Sequence, residues 1–121
     1  MRISHLKKSI VHAWRGIAYV FAHEQNFRVQ VFFGVIVAIL AMILDVRKAE
    51  YIVLGMLILA VLSLELINSA IEKFFDVAHP RLRFHIGVAK DIMAGLVLMT
   101  SLGSAIIGII IFWPYFVGFI Q

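Results

Sequence analysis

Residues 51–76 read YIVLGMLILAVLSLELINSAIEKFFD, an apolar run that passes directly into a charged one. Fourteen mostly apolar residues precede Glu65. At about 1.5 Å per residue they form about 21 Å of helix, which carries Glu65 roughly two thirds of the way through a hydrocarbon core about 30 Å thick. An ionisable side chain at that depth costs at least about 2.5 kcal/mol and normally faces a bundle interior or a polar cavity. The stretch therefore predicts a membrane-spanning helix with a functional polar face.

The whole chain has the composition of a membrane protein. Of its 121 residues 63% are hydrophobic, and the mean hydropathy is +1.01, whereas soluble domains are about 45–50% apolar. The absence of cysteine excludes disulfides and thiolate metal sites. The net charge of +4 does not indicate nucleic-acid binding, because the basic residues are spread among apolar runs without a continuous patch of interleaved aromatics.

The first 26 residues have the pattern of an amphipathic surface helix. Apolar side chains recur at steps of three and four, and basic side chains occupy much of the remaining surface. The apolar positions are Ile3, Leu6, Ile10, Trp14, Ile17 and Phe21. We expect this helix to lie in the membrane interface with its cations near anionic headgroups, the alternative being a helix that packs on its own bundle. The segment does not have the uninterrupted apolar core of a removable signal peptide.

Three transmembrane helices are expected to follow in an all-α membrane protein. We predict a single integral-membrane domain over 1–121, with the surface helix at 1–26 and transmembrane helices at 27–45, 50–78 and 88–113. The connections are short, and Pro80 marks a helix break in the second one.

The distribution of basic residues predicts the orientation of the chain. Nine of the eleven lysines and arginines fall on the side shared by the N-terminus and the second connection, and only Arg47 and Lys48 lie opposite. By the positive-inside rule we expect a cytoplasmic N-terminus and an outside C-terminus. Trp113 and Tyr115 then belong to the outer aromatic belt.

Four polar side chains of the second predicted span share one face. At about 100° per residue, Glu65, Asn68, Glu72 and Asp76 fall within about 80° of arc. They could join helices by hydrogen bonds, form a proton or cation relay, or hold a hard cation such as Mg²⁺, which prefers oxygen ligands and relieves the repulsion between close carboxylates.

Two further polar groups are expected at the same membrane depth. Glu24 lies where the surface helix meets the first span, and Lys90 and Asp91 open the third. Each has an ordinary explanation, a solvated interfacial carboxylate for Glu24 and a helix-start acid beside an interfacial lysine for the pair. Acids from three helices and a lysine at one depth nevertheless offer metal ligands, a base and a cation for phosphate.

Four stretches extend this pattern over almost the whole chain. They are WRGI at 14–17, HEQNFR at 23–28, ELINSAIEKFFD at 65–76 and AKDIMAGLVL at 89–98. In them the chain resembles the small integral-membrane lipid kinases of bacteria, the prokaryotic diacylglycerol kinase and undecaprenol kinase family. The spacing ExxNxxxExxxD followed by AKD is the most specific part, and WRGI alone would be weak.

The resemblance implies a homotrimer with shared active sites that transfers the γ-phosphoryl group of MgATP to a lipid alcohol at the cytoplasmic interface. It implies that Glu65 is the general base and that Asn68 orients the base or the substrate. It also implies that Glu24 and Glu72 hold Mg²⁺, that Lys90 contacts the phosphates, and that Asp76 and Asp91 complete the nucleotide site. Such chemistry needs positioning and cations more than a nucleotide fold, and the chain has no Walker or protein-kinase glycine-rich loop.

The sequence also departs from the family pattern. The loop before AKD often carries an E-x-H arrangement, and here it reads Arg81, Leu82, Arg83, with His85 two places on. Four features resemble undecaprenol kinases more than the diacylglycerol-specific branch and so favour undecaprenol as substrate. They are the AGLVL stretch, Pro80, the EQNFR form and the IIIFWP end. The competing interpretation is a non-enzymatic membrane protein, either a small proton or cation conductor or a helical scaffold. Ser104 and Gly108 form a small-xxx-small pair, for which we expect close helix packing.

Overall fold

The computed structural model describes residues 2–78 and 83–120, and these form four α-helices. The helices are α1 (Arg2–His23), α2 (Gln25–Leu44), α3 (Lys48–Ala78) and α4 (Arg83–Ile120). The predicted all-α class is confirmed. Helix α4 begins five residues before residue 88 and ends seven after residue 113. Pro80, Arg81 and Leu82 lie outside the described residues, and with them the predicted helix break.

Helices α2, α3 and α4 are long and apolar enough to cross a membrane. The qualifying segments are Gln25–Leu44, Lys48–Val77 and Phe84–Ile120. Their outward surfaces are apolar as well, with Ile43 70% exposed, Leu59 65% and Ile110 65%. A soluble monomer rarely exposes apolar patches of this extent, whereas lipid or protein neighbours would cover them.

The turn between α2 and α3, residues 45–47, is fixed by its backbone. Asp45 has a left-handed conformation, with φ of 51°. Its N–H donates to the carbonyl of Met42 at 3.3 Å, and the N–H of Val46 donates to that of Ala41 at 3.2 Å. This is a Schellman motif. Val46 is buried with Ala41 and Leu54 in the small apolar core, so the turn sets α3 antiparallel to α2.

Glu50 joins this turn to the far end of α4. Its Oε1 accepts the N–H of Arg47 at 3.0 Å, which is the arrangement of a glutamate in the first turn of a helix. The same oxygen accepts a hydrogen bond from the hydroxyl of Tyr115. The side-chain hydrogen bond from the Arg47 guanidinium to the Glu50 carboxylate raises the pKa of that guanidinium. We call Arg47, Glu50 and Tyr115 the Glu50 cluster.

The aromatic end of α4 therefore contains two different environments. Trp113 is 65% exposed, as an interfacial side chain requires. Tyr115, expected in the same belt, instead donates a hydrogen bond from its hydroxyl to Glu50. Pro114 lies between them inside the helix. Helix α4 nevertheless continues past it to Ile120, and membrane helices tolerate such a proline where neighbouring groups satisfy the freed backbone.

Close helix packing occurs at Gly34 and not at the predicted Ser104 and Gly108 pair. A Cβ atom added to Gly34 would lie 3.2 Å from a methyl carbon of Ile58, because α2 and α3 approach closely there. A Cβ atom added to Gly108 would meet nothing within 4 Å. Among the described residues of one chain, Gly108 therefore has no close helix neighbour, and the expectation of close packing at this pair stays a prediction.

Candidate active site

Glu24 stands at the junction of α1 and α2, outside both helices. Its backbone is extended, with φ of −113° and ψ of 111°. Arg28 holds the junction together, since its Nη1 donates to the carbonyls of Phe21 at 2.8 Å and Ala22 at 3.0 Å. A cation on the last carbonyls of a helix is stabilising. The bend therefore fixes the point from which the Glu24 side chain projects.

Ser69 connects Glu24 to α3. Its hydroxyl donates to Oε1 of Glu24 at 3.3 Å, and Ser69 itself is only 3% exposed. The sequence analysis did not identify Ser69. Its position beside Asn68, about 40° of helix rotation from Glu65, was the available signal.

Glu65 is the most buried carboxylate of the predicted face. It is 4% exposed. The side chains of Asn26 and Gln30 in α2 lie beside its carboxyl group, and the charges of Glu24 and Glu72 are close enough to interact with it. Its Oε2 atom is buried and has no hydrogen-bond partner among the described residues. Buried polar atoms normally have a partner, so this one identifies Glu65 as a candidate functional residue.

Asn26 and Gln30 are also residues that the sequence analysis missed as contributors to the site. Gln30 is the only polar residue between Val29 and Leu44. A lone polar side chain in a membrane-spanning run normally faces protein. That pattern could have identified Gln30 from sequence.

Asn68 and Glu72 continue the polar face toward the end of α3. The Nδ2 of Asn68 donates to Oε1 of Glu72 at 3.5 Å, a long hydrogen bond. The structure thus brings together Glu24, Glu65, Asn68 and Glu72 of the predicted site. We call these four residues and Ser69 the carboxylate site.

Asp76, Lys90 and Asp91 are not part of this cluster within one chain. All three are exposed. Among the described residues, no hydrogen bond or ion pair joins any of them to Glu24, Glu65 or Glu72. Lys73, three residues before Asp76, points toward α1, with its ammonium 5.7 Å from the ring centre of Tyr19.

The donor set of the carboxylate site suits a magnesium ion that is shared with a ligand. Across residues 2–78 and 83–120, no group of three or more His, Asp or Glu side chains is arranged to hold a metal by itself. Mg²⁺ in phosphate-transfer sites is usually held by one or two carboxylates, with substrate phosphates and water as its other ligands. Glu24 and Glu72, whose charges both reach Glu65, provide that number.

Comparison with known proteins identifies the class of protein that this arrangement defines. Residues 11–112 match the family described as prokaryotic diacylglycerol kinase. The chain belongs to this family. The predicted resemblance and the predicted enzyme class, a lipid kinase, are confirmed at the family level. The family and the three apolar helices also indicate a multi-pass bacterial membrane protein.

Individual relatives have two different names. The chain is 36% identical to the undecaprenol kinase of Bacillus subtilis, over 88% of this chain and 87% of that protein. It is 35% identical to a diacylglycerol kinase of Synechocystis over 83% of this chain, and the match spans 58% of that longer protein. A diacylglycerol kinase of Escherichia coli is 27% identical over 90% of this chain and 89% of its own length. The names therefore agree on lipid phosphorylation and differ on the lipid.

Proposed function

We propose that this chain transfers the γ-phosphoryl group of ATP to the hydroxyl group of a membrane lipid alcohol. The observation that carries the proposal is the buried Glu65, whose Oε2 has no partner among the described residues, within reach of the charges of Glu24 and Glu72. Phosphoryl transfer requires chiefly positioning and charge stabilisation. A carboxylate that can accept a proton beside two that can hold a metal ion matches those requirements.

Glu65 acts as the general base in this mechanism. The lipid hydroxyl donates its hydrogen bond to Oε2, which has no partner among the described residues. It transfers its proton there as its oxygen attacks the γ-phosphorus and the bond from that phosphorus to the ADP oxygen breaks. Asn26 and Gln30 lie beside the carboxyl group on the α2 side, where their amides can donate to it. Asn68 donates one amide hydrogen to Glu72, and its second amide hydrogen can be donated to the oxygen of the substrate hydroxyl.

Glu24 and Glu72 would hold a Mg²⁺ ion that also binds the ATP phosphates, and the chemistry it would supply there is neutralisation of charge on the transferred phosphoryl group. Ser69 and Arg28 keep Glu24 in place, the first through its hydroxyl and the second through the α1 carbonyls. Both are positioning residues in this proposal.

The remaining predicted residues require a second subunit. We propose a homotrimer in which Asp76, Lys90 and Asp91 of one subunit complete the carboxylate site of the next, with Lys90 on the phosphates. Their exposure and their separation from Glu24 and Glu65 within one chain support this arrangement. The exposed apolar surfaces of α2 and α4 supply area for such an interface.

We place the carboxylate site at the cytoplasmic face, with the C-terminus outside. The excess of lysine and arginine at that end supports the orientation. Helix α1 then lies on the membrane surface, which its exposed Ile3 and Trp14 support, at 74% and 72% exposure. We favour undecaprenol over diacylglycerol as substrate on the sequence features alone.

A proton or cation conductor is the second candidate, and the structure gives it little support. A conductor needs polar groups along the whole span. Here the carboxylate site lies at one end of α3, and the Glu50 cluster lies at the other with apolar residues between them.

Radiolabel transfer tests the proposed function. Purified protein in mixed micelles receives Mg²⁺, γ-labelled ATP and either undecaprenol or diacylglycerol. We expect label in one lipid and its loss in Glu65→Gln, because the amide cannot accept the proton. Glu50→Gln, which makes the same chemical change at the other end of α3, is the matched control and should stay active. No transfer to either lipid by the unmodified protein would refute the proposal.

A further inference from the structure

Helix α1 buries little of its own surface against the rest of the chain. Val20, at 7% exposure, is the only buried residue in Arg2–His23. One residue further, Phe21 packs edge-on against Phe27 of α2, with ring centres 6.5 Å apart. The direction of the Glu24 carboxylate, immediately after α1, therefore depends on a helix that a few contacts hold in place.

One of these contacts is a cation–π pair that joins α1 to α3 beside the carboxylate site. The ammonium of Lys73 lies 5.7 Å from the ring centre of Tyr19, within the distance of about 6 Å over which such a pair attracts. Lys73 directly follows Glu72 on α3. Both members of the pair are exposed, and the proposed reaction uses neither of them.

His23 holds the Tyr19 ring in place for this pair. The two rings stack, with centres 4.1 Å and planes 23° apart. The Nδ1–H of His23 also donates to the carbonyl oxygen of Tyr19 at 2.9 Å. Residues four apart on a helix are neighbours, so the Tyr19 ring is fixed against its own helix and presents a stable surface to Lys73.

The Lys73–Tyr19 pair and the Ser69–Glu24 hydrogen bond act at two neighbouring points. On α3, Ser69 and Lys73 are four residues or about 6 Å apart on one face. On the other side, Tyr19 and Glu24 are five residues apart, about 7.5 Å of helix. The hydrogen bond alone would leave α1 free to rotate about one point, whereas two contacts a turn apart fix its direction.

We infer that Lys73 and Tyr19 are positioning residues that keep α1 docked on α3 and thereby hold Glu24 in the carboxylate site, an inference that rests on the proposed function. Lys73 acts through the Tyr19 ring and not on the nucleotide. The consequence for the reaction is a lower KM for MgATP, because a carboxylate that is already in place needs no ordering when the ligand binds.

The first measurement follows the docking of α1 without turnover. The chain has no cysteine, so Val20→Cys introduces a single thiol at the buried position of α1. Its rate of modification by a maleimide reports how often α1 opens. On this background Lys73→Gln should raise the rate about two- to fivefold, the factor that corresponds to an exposed cation–π pair.

Two further substitutions of lysine on this background serve as controls. Lys73→Arg should keep the modification rate close to that of Val20→Cys alone, because a guanidinium also binds an aromatic face. Lys48→Gln makes the same chemical change at an exposed position at the other end of α3 and should have no effect. An unchanged rate in Lys73→Gln, or an equal rise in Lys48→Gln, would overturn the inference.

A double-mutant cycle tests whether Lys73 acts through Tyr19. Tyr19→Leu removes the ring, so Lys73→Gln should cause no further rise in the modification rate once Tyr19→Leu is present. Tyr19→Phe keeps the aromatic face and should preserve the effect of Lys73→Gln. An effect of Lys73→Gln that persists in Tyr19→Leu would contradict the inference.

Steady-state kinetics of the chain with Val20 intact connects docking to MgATP. Lys73→Gln should raise the KM for MgATP about two- to fivefold and leave kcat and the KM for the lipid unchanged, and Lys73→Arg should restore the KM for MgATP. A fall in kcat, or a KM effect that persists in Tyr19→Leu, would place Lys73 on the reactants and overturn the inference. Absence of lipid phosphorylation by the unmodified protein refutes the proposed function, whereas the maleimide cycle still decides whether Lys73 docks α1 through Tyr19.

Discussion

Replacing Ser69 by alanine should weaken MgATP binding without weakening lipid binding. The substitution removes one hydrogen bond, from the Ser69 hydroxyl to Oε1 of Glu24. Hydrogen bonds to charged groups contribute about 1.5–3 kcal/mol. This one is 3.3 Å long, beyond the usual range of about 2.5–3.0 Å for hydroxyl donors, and Glu24 is only partly buried. We therefore expect about 1 kcal/mol, somewhat below that range.

A loss of about 1 kcal/mol corresponds to about a fivefold rise in the KM for MgATP. The value of kcat should change little, because a weakened ground-state contact of this kind affects binding and the transition state equally. Steady-state phosphorylation of the lipid, with MgATP and lipid varied in turn, gives both constants. Ser63→Ala, a substitution of an exposed serine on the same helix, is the control. A KM for MgATP within about twofold of the unmodified value, or an equal rise in the KM for the lipid, would refute the role assigned to Glu24.

Three further substitutions test the parts that hold the site in place. Arg28→Gln removes a cation from the α1 carbonyls and should lower the free energy of unfolding by about 1 kcal/mol. The thermal midpoint in detergent measures this loss, and Arg15→Gln is the control. Asp45→Gly should raise stability by about 0.5–1 kcal/mol, because glycine adopts the positive φ without strain; a lower midpoint would contradict this. Tyr115→Phe should destabilise by about 1 kcal/mol and show no additional loss when combined with Glu50→Ala, since each substitution removes the hydrogen bond from the Tyr115 hydroxyl to Glu50.

The helices and most of the polar face could be predicted from sequence because both follow from helical geometry. A rotation of about 100° per residue places Glu65, Asn68 and Glu72 on one face whatever the helix packs against. The depth of Glu65 follows from counting residues in a span. Its burial at 4% exposure agrees with the separate expectation that an ionisable group in a span faces the bundle interior.

The contacts between helices could not be obtained by the same counting. Helical angles do not show that Ser69 reaches Glu24, because the partner lies 45 residues away in sequence. Arg28 was interpreted only as a cation for membrane orientation, whereas its hydrogen bonds depend on how sharply the chain turns at Glu24. These contacts depend on tertiary packing, which periodicity does not encode.

The expected convergence of charges shows a second limit. Lys90 and Asp91 were placed at the depth of Glu24 by their position in a span, and depth alone does not bring side chains together. Within one chain, α4 packs on α3, and among the described residues no hydrogen bond joins Lys90 or Asp91 to Glu24, Glu65 or Glu72. The sequence gives a residue's position along the membrane normal better than its position in the membrane plane.

The α2–α3 turn also bears on how the chain enters the bilayer. Its hydrogen bonds run from Asp45 and Val46 to carbonyls of α2, and from Arg47 to Glu50 in the first turn of α3. A ribosome that has made only the residues up to 78 has already supplied every partner in these bonds. The two helices can therefore insert together as a hairpin. Tyr115 reaches Glu50 only after α4 is synthesised, so the last helix closes a structure that the first two membrane helices have begun.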